Sequence, residues 1–252
     1  MNNIKAFAFD LDGTLYYGNN AVSGAVETIS SIIKAGYKVF YFTNNSAKTR
    51  LQIVTKLSSL GFSASLINTY TASYACSRYL LKNHIDSVYV VGSDDLINDF
   101  RSQGINVVEP EKASSVVVCL DMLLTYDKIS GALLAIENGA KLIVANRDSS
   151  FPIENNKRLP GCGAMVGAIV SATGHEPDFI AGKPNTYMLE LLCNEWNLSA
   201  SEICVVGDSI ESDIEMANHY QCSSVLFDPL NKYSNYTAQR ITCFPDLINI
   251  LQ

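Results

Sequence analysis

Phe7-Ala8-Phe9-Asp10-Leu11-Asp12-Gly13-Thr14 passes abruptly from an apolar strand into an acidic turn. Ile4 to Phe9 is mostly apolar and bounded by polar residues, the pattern of a central strand buried on both faces. Asp10 and Asp12 follow two positions apart. In extended backbone residues i and i+2 project to one side, so both carboxylates face one small volume beyond the strand's carboxyl end. Two anions held that close repel, and a shared proton or a bound cation is the ordinary remedy. Gly13 lets the backbone turn closely past an occupant, and Thr14 adds a hydroxyl and another N–H. One Asp before a Gly would be an ordinary acidic turn. A second carboxylate at this spacing points to chemistry.

Outward from this turn the chain alternates strands and helices. Ser23 or Gly24 can start a helix whose apolar positions Val26, Ile29, Ile32 and Ile33 share a face, ending near Gly36. Tyr37 to Phe42 reads as a second strand ending in Thr43-Asn44-Asn45-Ser46. Leu51, Val54, Leu57 and Leu60 then mark a helix closed by Gly61. After a helix over 71–82, a second series begins: strand Val88–Val91, helix around Leu96–Gln103, strand Val116–Leu120, helix Asp127–Gly139 and strand Leu142–Ala145. Asn146 to Cys162 reads as a polar loop with two prolines, Ala164 to Thr173 as a helix, and His175 to Asp178 as a linker. The last part returns to the first rhythm. Phe179 to Gly182 is a short strand leading to Lys183. Met188, Leu189, Leu192 and Trp196 mark a helix face, and Ile203 to Val206 is a strand ending in Gly207-Asp208-Ser209-Ile210-Glu211-Ser212-Asp213. A short helix through Ile214, Met216 and Ala217 and a strand over 225–227 follow it. Strand, helix, strand is the rhythm of a parallel sheet with crossovers. The fold class expected is α/β, with a doubly wound parallel sheet made from both ends of the chain, residues 1–83 and 179–252, interrupted by a second domain over 84–178.

At 252 residues the chain can bury a sizeable core, and 48% hydrophobic with 17% charged residues fits an ordinary globular protein. The formal net charge of −7 speaks against nucleic acid or an anionic membrane surface as partner. An anionic substrate would therefore need a locally positive site. No apolar run reaches the length of a membrane span, and the first residues lack the pattern of a signal peptide, so a cytoplasmic location is expected. The seven cysteines are odd in number and show no C-x-x-C pair, which favours small buried hydrophobes in a reducing compartment over disulfides or zinc.

Three other strand ends can bring groups to the Asp10–Asp12 turn, because open α/β sheets bind ligands outside the carboxyl ends of their strands. Thr43 and Asn44 offer a hydroxyl, an amide and backbone N–H groups, the donors that phosphoryl oxygens require. Lys183 can deliver a point positive charge. Asp208 and Asp213, with Asp10, could complete an oxygen-only site, which suits Mg²⁺ rather than zinc.

Together these stretches resemble the haloacid dehalogenase superfamily of phosphohydrolases, whose four motifs match Asp10-Leu11-Asp12-Gly13-Thr14, Thr43-Asn44, Lys183-Pro184 and Gly207-Asp208 through Asp213. The chain is most similar to the branch with a large α/β cap, which includes 4-nitrophenyl, phosphoglycolate, pyridoxal phosphate and nucleotide phosphatases. Thr43-Asn44-Asn45-Ser46, Leu120-Asp121 with Thr125-Tyr126, Asn146-Arg147-Asp148, Leu159-Pro160-Gly161 and Ala181-Gly182-Lys183-Pro184 agree with that branch. Cys119 and Met122 stand where it usually has glycine and arginine.

The resemblance implies a Rossmann-like core with an inserted α/β cap and a phosphomonoesterase acting on a small phosphate ester. It also implies that Asp10 is the nucleophile and Asp12 the general acid and base. Mg²⁺ would be held by Asp10, Asp12 and Asp208, with Asp213 supporting the metal's water shell. Thr43, Asn44, Asn45 and Lys183 would bind the phosphoryl group. Asp148 and Phe151 would line the leaving-group pocket, Phe151 standing where the pyridoxal phosphate phosphatases have a histidine. A homodimer through the cap is one option for assembly. Two alternatives stay open: a phosphotransferase or mutase of the same superfamily, and a phospho-aspartate signalling module.

Overall fold

The computed structural model of the protein describes residues 3–153, 157–236 and 238–251. From the amino end these form β1 (Ala6–Asp10), the short hairpin β2 (Tyr16–Tyr17) and β3 (Asn20–Ala21), α1 (Ala25–Lys34), β4 (Lys38–Thr43) and α2 (Arg50–Ser59). Next come β5 (Thr69–Thr71), α3 (Ala72–Lys82), β6 (Val88–Val91), α4 (Asp94–Ser102), β7 (Ser115–Val118), α5 (Tyr126–Glu137) and β8 (Lys141–Val144). The hairpin β9 (Ser150–Ile153) and β10 (Lys157–Pro160), α6 (Cys162–Thr173) and β11 (Phe179–Ile180) follow. The chain closes with α7 (Tyr187–Trp196), β12 (Ile203–Gly207), α8 (Glu215–Tyr220), β13 (Ser223–Phe227), β14 (Arg240–Ile241) and α9 (Asp246–Leu251). Side chains cap several helix starts: Thr71, Ser93 and Thr125 each accept the N–H of the residue three further on.

Two parallel sheets result, and the fold is α/β with a doubly wound core and an inserted α/β domain. The larger sheet has the order β14-β13-β12-β1-β4-β5, in which β1 pairs in parallel with both β12 and β4. Every residue of β1 is buried. Phe7 and Phe9 join one cluster with Ile29 and Ile32 of α1, Ile53 and Leu57 of α2 and Leu247 of α9, while Phe40 of β4 meets Trp196 of α7 at 5.0 Å between ring centroids. Helices thus cover both faces, and that is why these strands read as continuous apolar runs. The smaller sheet has the order β11-β8-β7-β6, all parallel.

The chain divides into two compact units: Met1–Thr43, Leu51–Tyr70 and Lys183–Gln252 form one, and Asn44–Arg50 with Thr71–Gly182 form the other. The interval 84–178 lies inside the second unit, which also takes in α3 and the short segments next to Thr43 and Lys183.

Three local expectations are corrected. The stretch 146–162 is no plain loop: β9 and β10 pair antiparallel, with Phe151 opposite Leu159 and Pro160 opposite Ser150. A two-stranded ribbon has only edge strands, which tolerate proline, so Pro152 and Pro160 did not forbid it. Residues 154–156 of that stretch lie outside the described residues. In α2 the buried positions are Ile53 and Leu57, whereas Leu51 is exposed. A spacing of three slips about 60° per step on a helix of 3.6 residues per turn, so Leu51 and Leu60 fall on opposite sides. In α1, Ala25, Thr28, Ile29 and Ile32 are buried and Ile33 is exposed.

Candidate active site

The strand order reverses at β1. From there the chain moves to β4 and β5 on one side and returns later to β12, β13 and β14 on the other. A crevice outside the strands' carboxyl ends is expected at such a reversal, and there β1 ends in Asp10 and β12 leads into Asp208. Thr43 ends β4, one residue past Phe42, which is level with Asp10.

Lys183 is buried between two carboxylates, its Nζ 2.5 Å from Asp10 Oδ1 and 2.6 Å from Asp213 Oδ1. One oxygen from each of Asp10, Asp208 and Asp213 lies within 4.8 Å of the others. Two carboxylates therefore share one ammonium, with a third carboxylate in the same cluster. Burial pulls the lysine pKa down, but Asp10 and Asp213 outweigh it and hold the ammonium firmly charged. Asp208 is pushed up by burial and by the charges of Asp10 and Asp213. Asp213 also rises, because burial outweighs the opposing Lys183. The Thr14 hydroxyl donates to Asp208 Oδ1 at 3.0 Å, and the Ser209 N–H donates to Asp213 Oδ2 at 3.2 Å.

Two glycines make this crowding possible. A Cβ on Gly13, whose φ is +97°, would lie 2.5 Å from Asp208 Oδ2, and one on Gly207 would lie 2.2 Å from Asp213 Cγ. Asp213 itself sits on a turn widened so that the Ile214 N–H reaches back five residues to the Ser209 carbonyl at 3.2 Å. Such widened turns recur at functional sites. A dense set of hard oxygen donors with excess negative charge, and no His or Cys in the set, fits a hard divalent cation.

Asp12 keeps an exposed face, and its Oδ2 accepts the Tyr16 hydroxyl at 3.0 Å. The protein atoms around its remaining faces, and then the charge of Asp10, push its carboxyl pKa upward against Lys56 and the Tyr16 bond. Water at the open face tempers that rise.

The remaining candidates lie in the second unit. The Asn44 amide donates to both Asp148 oxygens, at 3.2 and 3.1 Å, and Asn146 donates to the Asn44 carbonyl at 2.6 Å. Asn146 Oδ1 in turn accepts the Asp148 N–H at 3.0 Å. Asn45 Oδ1 accepts the Ala47 N–H at 3.2 Å and so caps its own turn. Phe151 is half-buried on β9. Thr14 is marked by its place in the acidic turn, whereas the contacts of Tyr16, Ser46, Lys56 and Asn146 arise only in the fold. Ser46 is buried and accepts the Leu120 N–H at 3.1 Å, a partner no local pattern announces.

Residues 7–106 match the family described as haloacid dehalogenase-like hydrolase, and residues 180–232 match a second model of related hydrolases. The chain is 34% identical over 219 residues to the sugar-phosphatase AraL of Bacillus subtilis, covering 86% of this chain and 80% of that one. It is 36% identical over 215 residues to an acid sugar phosphatase of Staphylococcus saprophyticus, covering 85% and 82%. The structure of a p-nitrophenyl phosphatase from Archaeoglobus fulgidus superposes with a TM-score of 0.89 at 25% identity, covering 98% of this chain and 99% of that one. The chain belongs to the haloacid dehalogenase-like hydrolases. Among them it is a phosphatase, and it is similar to the nitrophenyl phosphatases.

Proposed function

We propose that this chain hydrolyses a small phosphate monoester through an aspartyl-phosphate on Asp10, and that a sugar phosphate is the substrate class. The observation that carries the reading is the buried Asp10–Lys183–Asp213 chain beside Asp208, with its excess of negative charge at the sheet's reversal point. Kinship with proteins named sugar phosphatases supports the substrate class.

In the first step a carboxylate oxygen of Asp10 attacks phosphorus, the ester P–O bond breaks, and Asp12 gives its proton to the departing oxygen. In the second, Asp12, now a carboxylate, takes a proton from water. The oxygen of that water attacks phosphorus and frees inorganic phosphate and Asp10. Lys183 holds the nucleophile in place and balances part of the local charge. Its ammonium and the hydroxyl and N–H groups of Thr43 and Asn44 stabilise the charge that grows on the phosphoryl oxygens. Asn45 supports the turn that presents Asn44. Asp10, Asp208 and the Asp12 backbone carbonyl would hold Mg²⁺, with Asp213 supporting its water shell. When bound it would supply the positive charge that lets one anion approach another. In the inserted domain, Phe151 distinguishes leaving groups, while Asp148 holds the Asn44 amide. A homodimer through that domain and a cytoplasmic location complete the reading, and among the described residues no helix is long and apolar enough to cross a membrane.

The test is phosphate release from a panel of sugar phosphates, other alkyl phosphates and 4-nitrophenyl phosphate, in Mg²⁺ and in EDTA. Mg²⁺-dependent turnover with sugar phosphates among the best alkyl esters is expected. No release from any ester overturns the activity, and equal turnover in EDTA overturns the metal.

A further inference from the structure

Tyr16 takes no part in the steps above, yet its hydroxyl is committed to one of their central groups. After β1 the backbone makes a tight turn in which the N–H groups of Thr14, Leu15 and Tyr16 all point to the Leu11 carbonyl, at 3.2, 2.8 and 3.2 Å. The Gly13 N–H closes the turn on the Tyr16 carbonyl at 3.0 Å. Tyr16 is thereby carried back beside Asp12, four positions earlier. Its side chain is buried at 1% exposure in the apolar cluster that also holds Phe9, Leu57 and Phe244. Only the hydroxyl leaves that cluster, donating to Asp12 Oδ2 at 3.0 Å. A phenylalanine would fill the same space without a polar atom to satisfy, so the hydroxyl needs a reason beyond packing.

Lys56, on α2, supplies a second and independent observation. Its Nζ stands 3.6 Å from the centre of the Tyr16 ring, over the ring's negative face, and its charge also acts on Asp12. The cation fixes the ring, and the ring fixes the hydroxyl. Asp12 needs such a brace because it opens to solvent, and an aspartate carboxyl on an exposed turn rotates broadly about its last torsion.

We propose that Tyr16, braced by Lys56, is a positioning residue for Asp12. The bond ties up Oδ2 and leaves Oδ1 as the one oxygen that carries the proton to the ester oxygen and later receives one from water. This rests on the acid–base reading of Asp12 given above and extends it to two residues outside the four motifs. The consequence is a split by leaving group. Nitrophenolate departs with little protonation, whereas a sugar or glycerol alkoxide depends on a proton delivered in the right place.

The test compares kcat and KM on 4-nitrophenyl phosphate and on glycerol phosphate, in Mg²⁺, for the wild type, Tyr16→Phe, Lys56→Gln, Lys56→Arg and Asp12→Asn. Tyr16→Phe should lower kcat on glycerol phosphate about 10-fold and on 4-nitrophenyl phosphate no more than about 3-fold, with KM little moved on either. Lys56→Gln should show the same split more weakly, and Lys56→Arg, which keeps a cation on the ring, should restore the wild-type ratio. If Tyr16→Phe lowers both esters by one factor, or neither, the positioning role is wrong and the hydroxyl serves packing alone. Asp12→Asn separates the two levels. If it shows no difference between the esters, the acid–base reading fails and this inference with it. A split for Asp12→Asn without one for Tyr16→Phe overturns the inference alone.

Discussion

Both parallel sheets end in a buried aspartate next to a lysine, and the two pairs are built to opposite ends. In the inserted domain Asp121, just beyond β7, is 2% exposed and fully satisfied. Lys128 meets its Oδ2 at 2.5 Å, the Leu123 N–H donates to its Oδ1 at 2.9 Å, and Lys128 also donates to the Gly92 carbonyl at 3.1 Å. There one anion meets one cation. In the core sheet Lys183 serves Asp10 and Asp213 at once, with Asp208 in the same cluster. That imbalance costs stability unless something positive arrives, and sites kept in such a state are where function is expected. Similar strand ends therefore give a paired, neutral contact in one sheet and a charge-unbalanced cluster, the proposed reactive centre, in the other.

The strongest way to break that contrast is Asp10→Asn. The change keeps shape, removes the attacking charge and relieves crowding. Turnover should fall at least ~10³-fold, while the melting temperature stays within a few degrees of the wild type. A variant that keeps most of its turnover would place the nucleophile elsewhere. EDTA should lower activity by about 10²-fold or more, with Mg²⁺ restoring it and Ca²⁺, larger and looser in coordination, failing to. Asp208→Asn should raise the Mg²⁺ concentration needed for half-activity by about 10-fold or more without lowering the melting temperature of the metal-free protein. A clear loss of metal-free stability would mean that Asp208 is a brace like Asp121.

The converse variant is Lys128→Met. It leaves Asp121 buried without its cation, at a cost of about 2 kcal/mol once the partial exposure of Lys128 is allowed for. In a chain of this size that is roughly 4–8 °C of melting temperature. Turnover of 4-nitrophenyl phosphate should change by less than about 3-fold. A loss of activity without a loss of stability would erase the distinction between the two sheets.

Much of this was legible in the sequence for a simple reason. β1, β4 and β12 are covered on both faces, so each is a short apolar run broken at once by polar residues, and the break marks the candidate site. What stayed hidden depends on groups that are neighbours only after folding. The Tyr16–Asp12 bond needs the turn around the Leu11 carbonyl. Lys56 reaches the ring from a separate helix, and Ser46 finds the Leu120 N–H across a long stretch of chain. The β9–β10 hairpin was obscured because its two prolines read as breakers.

The finest distinction concerns Asp148 and Phe151, which sequence reading assigned one common role. The structure treats them differently. Both Asp148 oxygens accept the Asn44 amide, at 3.2 and 3.1 Å, and Asn146 fixes Asp148 from behind. Phe151 lies three residues on, half-buried in the ribbon opposite Leu159. Removing the Asp148 carboxylate frees a residue proposed to bind the phosphoryl group, which every ester shares. Asp148→Ala should therefore lower kcat/KM on all esters by a common factor of about 10, with a smaller change in the ratios between them. Phe151→His keeps a flat ring but adds hydrogen-bonding atoms. It should leave the average rate near the wild type and shift the ratio between sugar phosphates and aromatic phosphates by about 3- to 10-fold, the size of one modest pocket contact. Measuring both variants on four or more esters separates the roles. If Phe151→His moves every ester by the same factor, Phe151 packs within the ribbon, and selectivity among leaving groups is set by other residues.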